Sequence, residues 1–364
     1  MWLGRDEVNA FMACHRQPLN SGFHGKIPGI LIVLAALTIM GAVMVAAQPS
    51  GGPKNPAAAA GAALSNHSPL NVKVLGARGD GLADDTKAIQ DALDKLAALG
   101  GRIYLPAGTY LVGPLYFPAR VIIEGDGDAT VLKFHGTSGF MLSPKVLTTS
   151  NQFVHIRDLA LDMQGKANVG ILLTNCWHSS VRRVNIRNLS TGTYKVDNRE
   201  LPNAGIALLA TAKVSGAYYN TLEQCFVQGV KANYGNTGIY LSCSSESDPR
   251  GANFNRLIQC RTLYCQTGIN LNKGNDVYVE MPEVSACEVG IRVKVRKGYL
   301  FKPYAEACDT GILLEKESWW NVVMLSGSFS GTRLPINDEG KENTILLRAR
   351  DFYEHFKKEP VQKY

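Results

Sequence analysis

The sequence is poor in charge and in aromatic rings: 19% of its 364 residues are Asp, Glu, Lys or Arg, and 8% are Phe, Trp or Tyr. That charged fraction is too low for a coiled coil or a self-repelling disordered chain, and the 45% apolar content can build a sizeable core. The positive excess is only +7, which favours anionic partners weakly and does not argue for nucleic acid. The eight cysteines form no C-x-x-C pair and no Cys/His cluster at metal spacing, which argues against a zinc site. Helical periodicity is scarce as well. What the chain has in abundance is glycine, 36 residues of it, punctuating short apolar runs.

One long apolar run does occur, the 21 uncharged residues from Ile27 to Ala47, long enough to cross a bilayer as a helix. Arg5, Arg16 and Lys26 precede it, so a cytoplasmic N-terminus and an extracytoplasmic body are expected. The run reads either as a retained anchor or as a cleaved signal ending at Val45-Ala46-Ala47, giving a secreted or periplasmic protein. The expected organisation is a leader over 1–26, the transmembrane or signal helix over 27–47, and a flexible Pro/Gly/Ala/Ser linker over 48–69. A folded body over 70–350 and a charged aromatic tail over 351–364 follow.

Within the body one amphipathic helix is clear. Asp84-Asp85-Thr86 supplies capping residues, Ala88, Ile89, Ala92, Leu93 and Leu96 form one face, and Gly100-Gly101 ends it. Short strands follow. A Gly-Ile pair recurs at Gly170, Gly205, Gly238, Gly268, Gly290 and Gly311, in steps of 35, 33, 30, 22 and 21 residues. The last three copies share C-x-x-G-I, and N-x-L-x-Q-C repeats at Asn220 and Asn255. A step of 21 or 22 residues suits one coil of a parallel β-solenoid with three strands and three turns. The longer steps predict loops at 191–203, 210–219 and 243–252, rising beside a groove. Stacking places Cys265, Cys287 and Cys308 in one buried column, and Asn168, Asn203, Asn236 and Gln266 in an amide column at a turn.

The stretch from Val72 to Gly127 contains GDGLADDTKAIQDAL, then YLPAGTYL, then IIEGDG. It resembles the opening of the pectate-lyase-like, rhamnogalacturonase/epimerase-like proteins. The resemblance implies an all-β fold: a right-handed, single-stranded parallel β-helix whose N-terminal end is capped by the Ala88–Leu99 helix. It also implies a groove along one sheet that holds an extracellular polysaccharide. Tail-spike relatives make a homotrimer a conceivable assembly. The Asp80, Asp84 and Asp85 carboxylates are the candidates for a calcium ion, although a turn and helix cap explain them first.

Family members include lyases, hydrolases, epimerases and tail-spikes, so the fold does not choose the chemistry. Polygalacturonase-type hydrolases carry paired Asp near the Gly-Ile strands, a G-H-G, and R-I-K one coil later. Here the corresponding positions read Asn168, Asn203 and Asn236, then Gln266-Thr267-Gly268, and only Arg292-Val293-Lys294 echoes the last motif. Carboxyls elsewhere remain: aligned coils put Arg157, Arg182, Glu223, Ile258, Glu280 and Phe301 in one outward column. Asp158, Arg183, Gln224, Gln259, Met281 and Lys302 form the next, and Asn185, Phe226, Arg261, Glu283 and Tyr304 a third. Glu223, Glu280 and Glu283 are therefore the hydrolase candidates. Arg182, Arg183, Arg261, Lys302 and Tyr304 are the substrate-binding ones. A lyase instead needs positive charge where a uronate carboxylate becomes enolate-like, and Arg292 and Lys294 alternate outward on one strand. An epimerase abstracts the same C5 proton. The expected function is thus lyase or hydrolase action on an acidic glycan, with a non-catalytic glycan-binding or envelope protein as the alternative of another class.

Overall fold

The computed structural model describes residues 68–211, 216–232, 234–243, 251–325 and 329–347. The leader, the apolar run 27–47, nearly all of the linker and the tail 351–364 lie outside the described residues, as do 212–215 and 244–250 of the expected loops. Among the described residues no helix is long and apolar enough to cross a membrane.

The body is a stack of parallel strands. One sheet of 18 strands bends along its length and carries the coil strands such as His155–Asp162 and Ser180–Arg187. A second sheet has nine strands, from Leu115–Phe117 through Phe140–Pro144, Val169–Thr174, Ala204–Ala210, Gly235–Cys243, Cys265–Leu271, Val289–Val293 and Thr310–Leu314 to Leu334–Asp338. A third has four two-residue strands at a corner. The chain visits these three sheets in turn, and each of their strands pairs in parallel with the equivalent strand of a neighbouring coil, which is the parallel β-helix expected from the repeat.

The Gly-Ile repeat has a physical reason. Its isoleucines are register partners from coil to coil, Ile171 with Ile206, Ile239, Ile269, Ile291, Ile312 and finally Ile336. All but the last are fully buried, each contributing about 1.5–3 kcal/mol. The glycine before each lies against the next coil: a Cβ on Gly238 would stand 2.5 Å from Gly268 O, and one on Gly290 2.5 Å from Gly311 O. The strands can approach only because no side chain intervenes.

The helix Thr86–Lys95 closes the N-terminal end, with Ile89, Ala92 and Leu93 buried. Leu115–Phe117 is the outermost strand of the second sheet. Gln90 replaces the missing neighbour strand: its Nε2 donates to Tyr116 O at 2.9 Å and its Oε1 accepts from Tyr116 N at 2.8 Å. An open edge is thereby satisfied by one amide. The cap differs from the sequence reading in one detail. Asp84 accepts from Thr86 N at 2.9 Å, whereas Asp85 turns back to accept from Arg78 N at 2.6 Å and Gly79 N at 3.0 Å.

Cys265, Cys287 and Cys308 line the core as expected, and all seven described cysteines are buried. Hydrogen bonding to Cys265 together with burial pushes the Cys287 thiol up to about 12, so it stays a protonated, apolar filler. Peptide mapping after iodoacetamide treatment should therefore find these seven unmodified in the native chain and alkylated after unfolding.

The amide column is realised differently from the expectation. Asn168 Nδ2 donates to Asn203 Oδ1 at 3.2 Å, but Asn236 Nδ2 turns to Gly192 O at 2.7 Å and Gln266 is exposed. The fully buried amides lie at another turn, where Ser179 N donates to Asn220 Oδ1 and Asn220 N to Asn255 Oδ1, each at 3.0 Å. At the corner beyond, Phe153, His178, Tyr219 and Phe254 stack ring on ring with centroids 5.8, 5.3 and 5.3 Å apart.

Candidate functional site

The outer face of the 18-stranded sheet carries the carboxylates read as hydrolase candidates. The first column is confirmed in register, Arg157 to Arg182, Glu223, Ile258, Glu280 and Phe301. The third runs Asn185 to Phe226, Arg261, Glu283 and Tyr304. The second is corrected: Asp158, Arg183, Gln224, Gln259, Met281 and Lys302 have φ between 45° and 56° and mark the left-handed bend of the sheet rather than its flat face.

The charges on this face pair among themselves. Arg182 Nε lies 2.8 Å from Glu223 Oε2, Arg183 Nε 2.6 Å from Asp158 Oδ1, and Arg261 Nη2 2.8 Å from Glu283 Oε1. Glu280 stands two rungs from Glu223 with Ile258 between them, and Glu283 lies across the Met281 bend. The three carboxylates do not converge on one point. Lys302 sits over the Phe301 ring at 5.3 Å, and Tyr304 OH lies 3.4 Å from Glu306 Oε2.

The nine-stranded sheet behaves otherwise. Its outer face holds a groove of about 360 Å³ lined by Tyr240, Gln266, Asn270, Asn272, Glu288 and Arg292, with Pro202, Asn236, Thr237, Thr267 and Val289 completing it. That is the size of a small-ligand cleft. Alternation from the buried isoleucines aims Tyr240, Asn270 and Arg292 outward, and these three are register partners on successive coils. Arg292 was foreseen on this face. Tyr240 and Asn270 were not, although the Gly-Ile repeat fixes their positions.

Arg292 and Lys294 do share a face, but they are not a free basic pair. Glu315, just past the next strand, puts Oε1 3.2 Å from Arg292 Nη1 and Oε2 3.0 Å from Lys294 Nζ. Its side chain is 18% exposed, and Glu317 adds a weaker contact to Lys294 at 3.8 Å. One carboxylate thus fixes both cations. Arg292 Nε and Asn270 Oδ1 are buried without a hydrogen-bond partner in the protein. Burial pushes the Tyr240 phenol up, so at neutral pH it is a proton donor.

The Asp80, Asp84 and Asp85 set does not fit a calcium ion. Asp80 Oδ1 accepts from Leu82 N and Ala83 N, both at 2.9 Å, and the other two are engaged by Thr86 and the 78–79 turn. Among the described residues no group of three or more His, Cys, Asp or Glu is placed to hold a metal. Trp319 and Trp320 lie away from the groove, Trp319 being covered by Arg296 at 4.6 Å and Lys341 at 5.4 Å.

His155 is structural, with Nδ1 2.9 Å from Ser180 Oγ. Burial, then the Arg157 charge, holds its pKa below the ordinary 6.5. The folded chain therefore binds fewer protons here than the unfolded one. This contribution is fully present above the ordinary value and is lost as pH falls from there toward the folded value. Denaturant midpoints measured at about pH 7.5 and about pH 5.5 should fall more in the native chain than in a His155→Gln variant.

Comparison with known proteins agrees with this architecture. The chain is 27% identical over 245 residues to a KN3-specific capsule depolymerase of Klebsiella phage KN3-1, a match to 57% of this chain and 29% of the depolymerase. It is 42% identical over 108 residues to the mannuronan C5-epimerase AlgE3 of Azotobacter vinelandii, 26% of this chain and 6% of the epimerase. The chain thus spans less than a third of these curated relatives. Among solved structures, ORF18 of Geobacillus virus E2 superposes with a TM-score of 0.56 at 20% identity, over 81% of this chain and 64% of that one. WceF of Pantoea stewartii, a glycan biofilm modifying enzyme with a tailspike-like parallel β-helix, superposes at 0.50 and 13% identity, over 78% and 38%. Both likenesses concern the fold alone. The profile of one family, described as rhamnogalacturonase A/epimerase, pectate lyase-like, matches residues 70–292, and the chain belongs to that family.

Proposed function

We propose that this chain modifies an acidic, uronate-bearing polysaccharide by removing the C5 proton of a sugar held in the groove on the nine-stranded sheet. The observation that carries this reading is the composition of the groove wall: one guanidinium, Arg292, and one carboxylate, Glu288, with no pair of acids. Hydrolysis of a glycosidic bond needs two carboxyls. Proton abstraction next to a carboxylate needs one base and a cation to stabilise the enolate-like charge. In this reading Arg292, steadied by Glu315, holds the uronate carboxylate, and Asn270 adds its amide. Glu288 takes the C5 proton. Tyr240 donates a proton to the departing glycosidic oxygen, which gives a lyase. Return of a proton to C5 without bond cleavage gives an epimerase. The relatives named as a depolymerase and an epimerase support a glycan as the substrate class. We place the body outside the cytoplasm, tethered or exported through residues 27–47, because its substrate class is found there.

The test is mass spectrometry of products. The full chain is incubated in deuterated water, with and without Ca²⁺, with uronate-containing and neutral glycans. Unsaturated, dehydrated ends support a lyase, and uncut chains carrying deuterium support an epimerase. Fragments that gained water overturn the reading in favour of a hydrolase. Uncut, unlabelled chains across the panel leave the non-catalytic glycan binder as the better account.

A further inference from the structure

The outer face of the nine-stranded sheet passes from covered to open along the helix axis, in three columns and within two successive coils. Leu172, Ala207 and Tyr240 are buried, and their next partners Asn270 and Arg292 come progressively into contact with solvent. Val169, Ala204 and Thr237 are buried, whereas Val289 and Thr310 further along are half-buried. Thr174, Leu209 and Ser242 are buried, and Asn272 and Lys294 are half-buried. The third column opens at Asn272, and the first two open one coil later at Arg292 and Val289, with Asn270 and Thr267 between them only 8% exposed.

The cover is the segment 191–203, expected as a loop and found to be an antiparallel hairpin, Thr193–Val196 on Arg199–Pro202. Its Tyr194, Val196 and Leu201 are buried against Val169, Leu172, Ala204, Ala207 and Leu209. Its base is tied down as well as its face. Asn203 N donates to Gly192 O at 3.0 Å, and Arg199 Nη1 reaches across to Cys243 O at 2.6 Å. Pro202, the last hairpin residue, is also part of the groove wall. The hairpin therefore ends where the groove begins. Toward the C-terminus no such wall stands among the described residues: Thr310, Leu313 and Asn337 are half-buried, and Leu334 is exposed.

From this geometry we infer that the groove accepts the end of a glycan chain and that the protein works from that end, not at internal sites. The lining strands span three rungs, roughly 10 Å from first to last. A chain laid along the axis over Arg292 meets the hairpin within that distance and cannot continue across it. The inference rests on the reading that the groove holds a glycan. It adds to that reading which part of the polymer is bound.

The experiment uses the full chain and a uronate oligosaccharide of uniform length, labelled at its reducing end, with products sized over time. A single small product, or deuterium confined to one terminal residue, is expected from the first time point, with little loss of polymer viscosity. The same oligosaccharide blocked at both ends should lose turnover. Early mixtures of many sizes, internal deuterium or rapid loss of viscosity overturn chain-end action while leaving the proposed function intact. Absence of any processing or binding overturns that function, and the inference with it. A second variant replaces residues 193–202 with a short Gly/Ser turn and carries Leu172→Thr and Leu209→Thr to make the uncovered face polar. Internal cutting by this folded variant is expected. Retention of the single-product pattern overturns the role of the hairpin.

Discussion

On the proposed function, Arg292→Ala is expected to lower kcat/KM on a uronate glycan by about a hundred- to a thousandfold, the usual cost of removing one preorganised donor from a developing negative charge. The guanidinium is suited to this task by what holds it. Glu315 engages Nη1 at 3.2 Å, leaving the Nε edge without a protein partner beside Asn270. A planar fork in a fixed orientation recognises a carboxylate through two parallel bonds. Arg292→Lys should recover only part of the activity, because an ammonium restores charge but not the fork. Lys87→Ala, which removes a cation on the exposed face of the cap helix, should leave the rate unchanged. Initial rates of unsaturated-product formation, or of deuterium uptake, measure all three. An Arg292→Ala variant with native kcat/KM would remove this residue from the chemistry.

Gly238→Ala has the largest effect expected on folding, about 2–3 kcal/mol lost to overpacking. The added methyl would meet Gly268 O at 2.5 Å and Thr262 Cγ2 at 2.7 Å. The first of these is backbone, held by pairing with the next coil, so it cannot step aside without breaking register. Gly113→Ala is the matched control, since its methyl meets only Thr86 atoms at 3.6 and 3.7 Å. Chemical denaturation midpoints of the two variants should separate clearly. Equal midpoints would mean that the strands are free to move apart.

The coil repeat made most of this legible. Spacing of the Gly-Ile pairs placed Ile291 inward and Arg292 outward, and aligned columns on the long sheet match the register, because the side-chain period of a strand is strict. Glu315 is within reach of the same logic: Val293 pairs with Leu314, so the residue after Leu314, Glu315, falls beside Lys294. It lies past the strand end, outside the Gly-Ile unit that repeats. The left-handed bends at Asp158 and Arg183 were not legible, since neither residue type demands positive φ. Nor was the hairpin. An insertion has no counterpart in other coils, so alignment shows its length and nothing of its conformation. Tyr194, Val196 and Leu201 alternate along it, and that alternation is the signal that was present.

In the stacked sheets each coil pairs only with the coil before and the coil after it. The inward residues, isoleucine above isoleucine and glycine above glycine, carry the close fit between coils, while the exposed outward ones add ion pairs from coil to coil. Exposed groove residues such as Gln266 and Glu288 can therefore be exchanged for other side chains one rung at a time without refitting the core. The scaffold behaves like a keyboard with interchangeable keys: substitution on the open face can change what the groove contacts while the frame stays as it is.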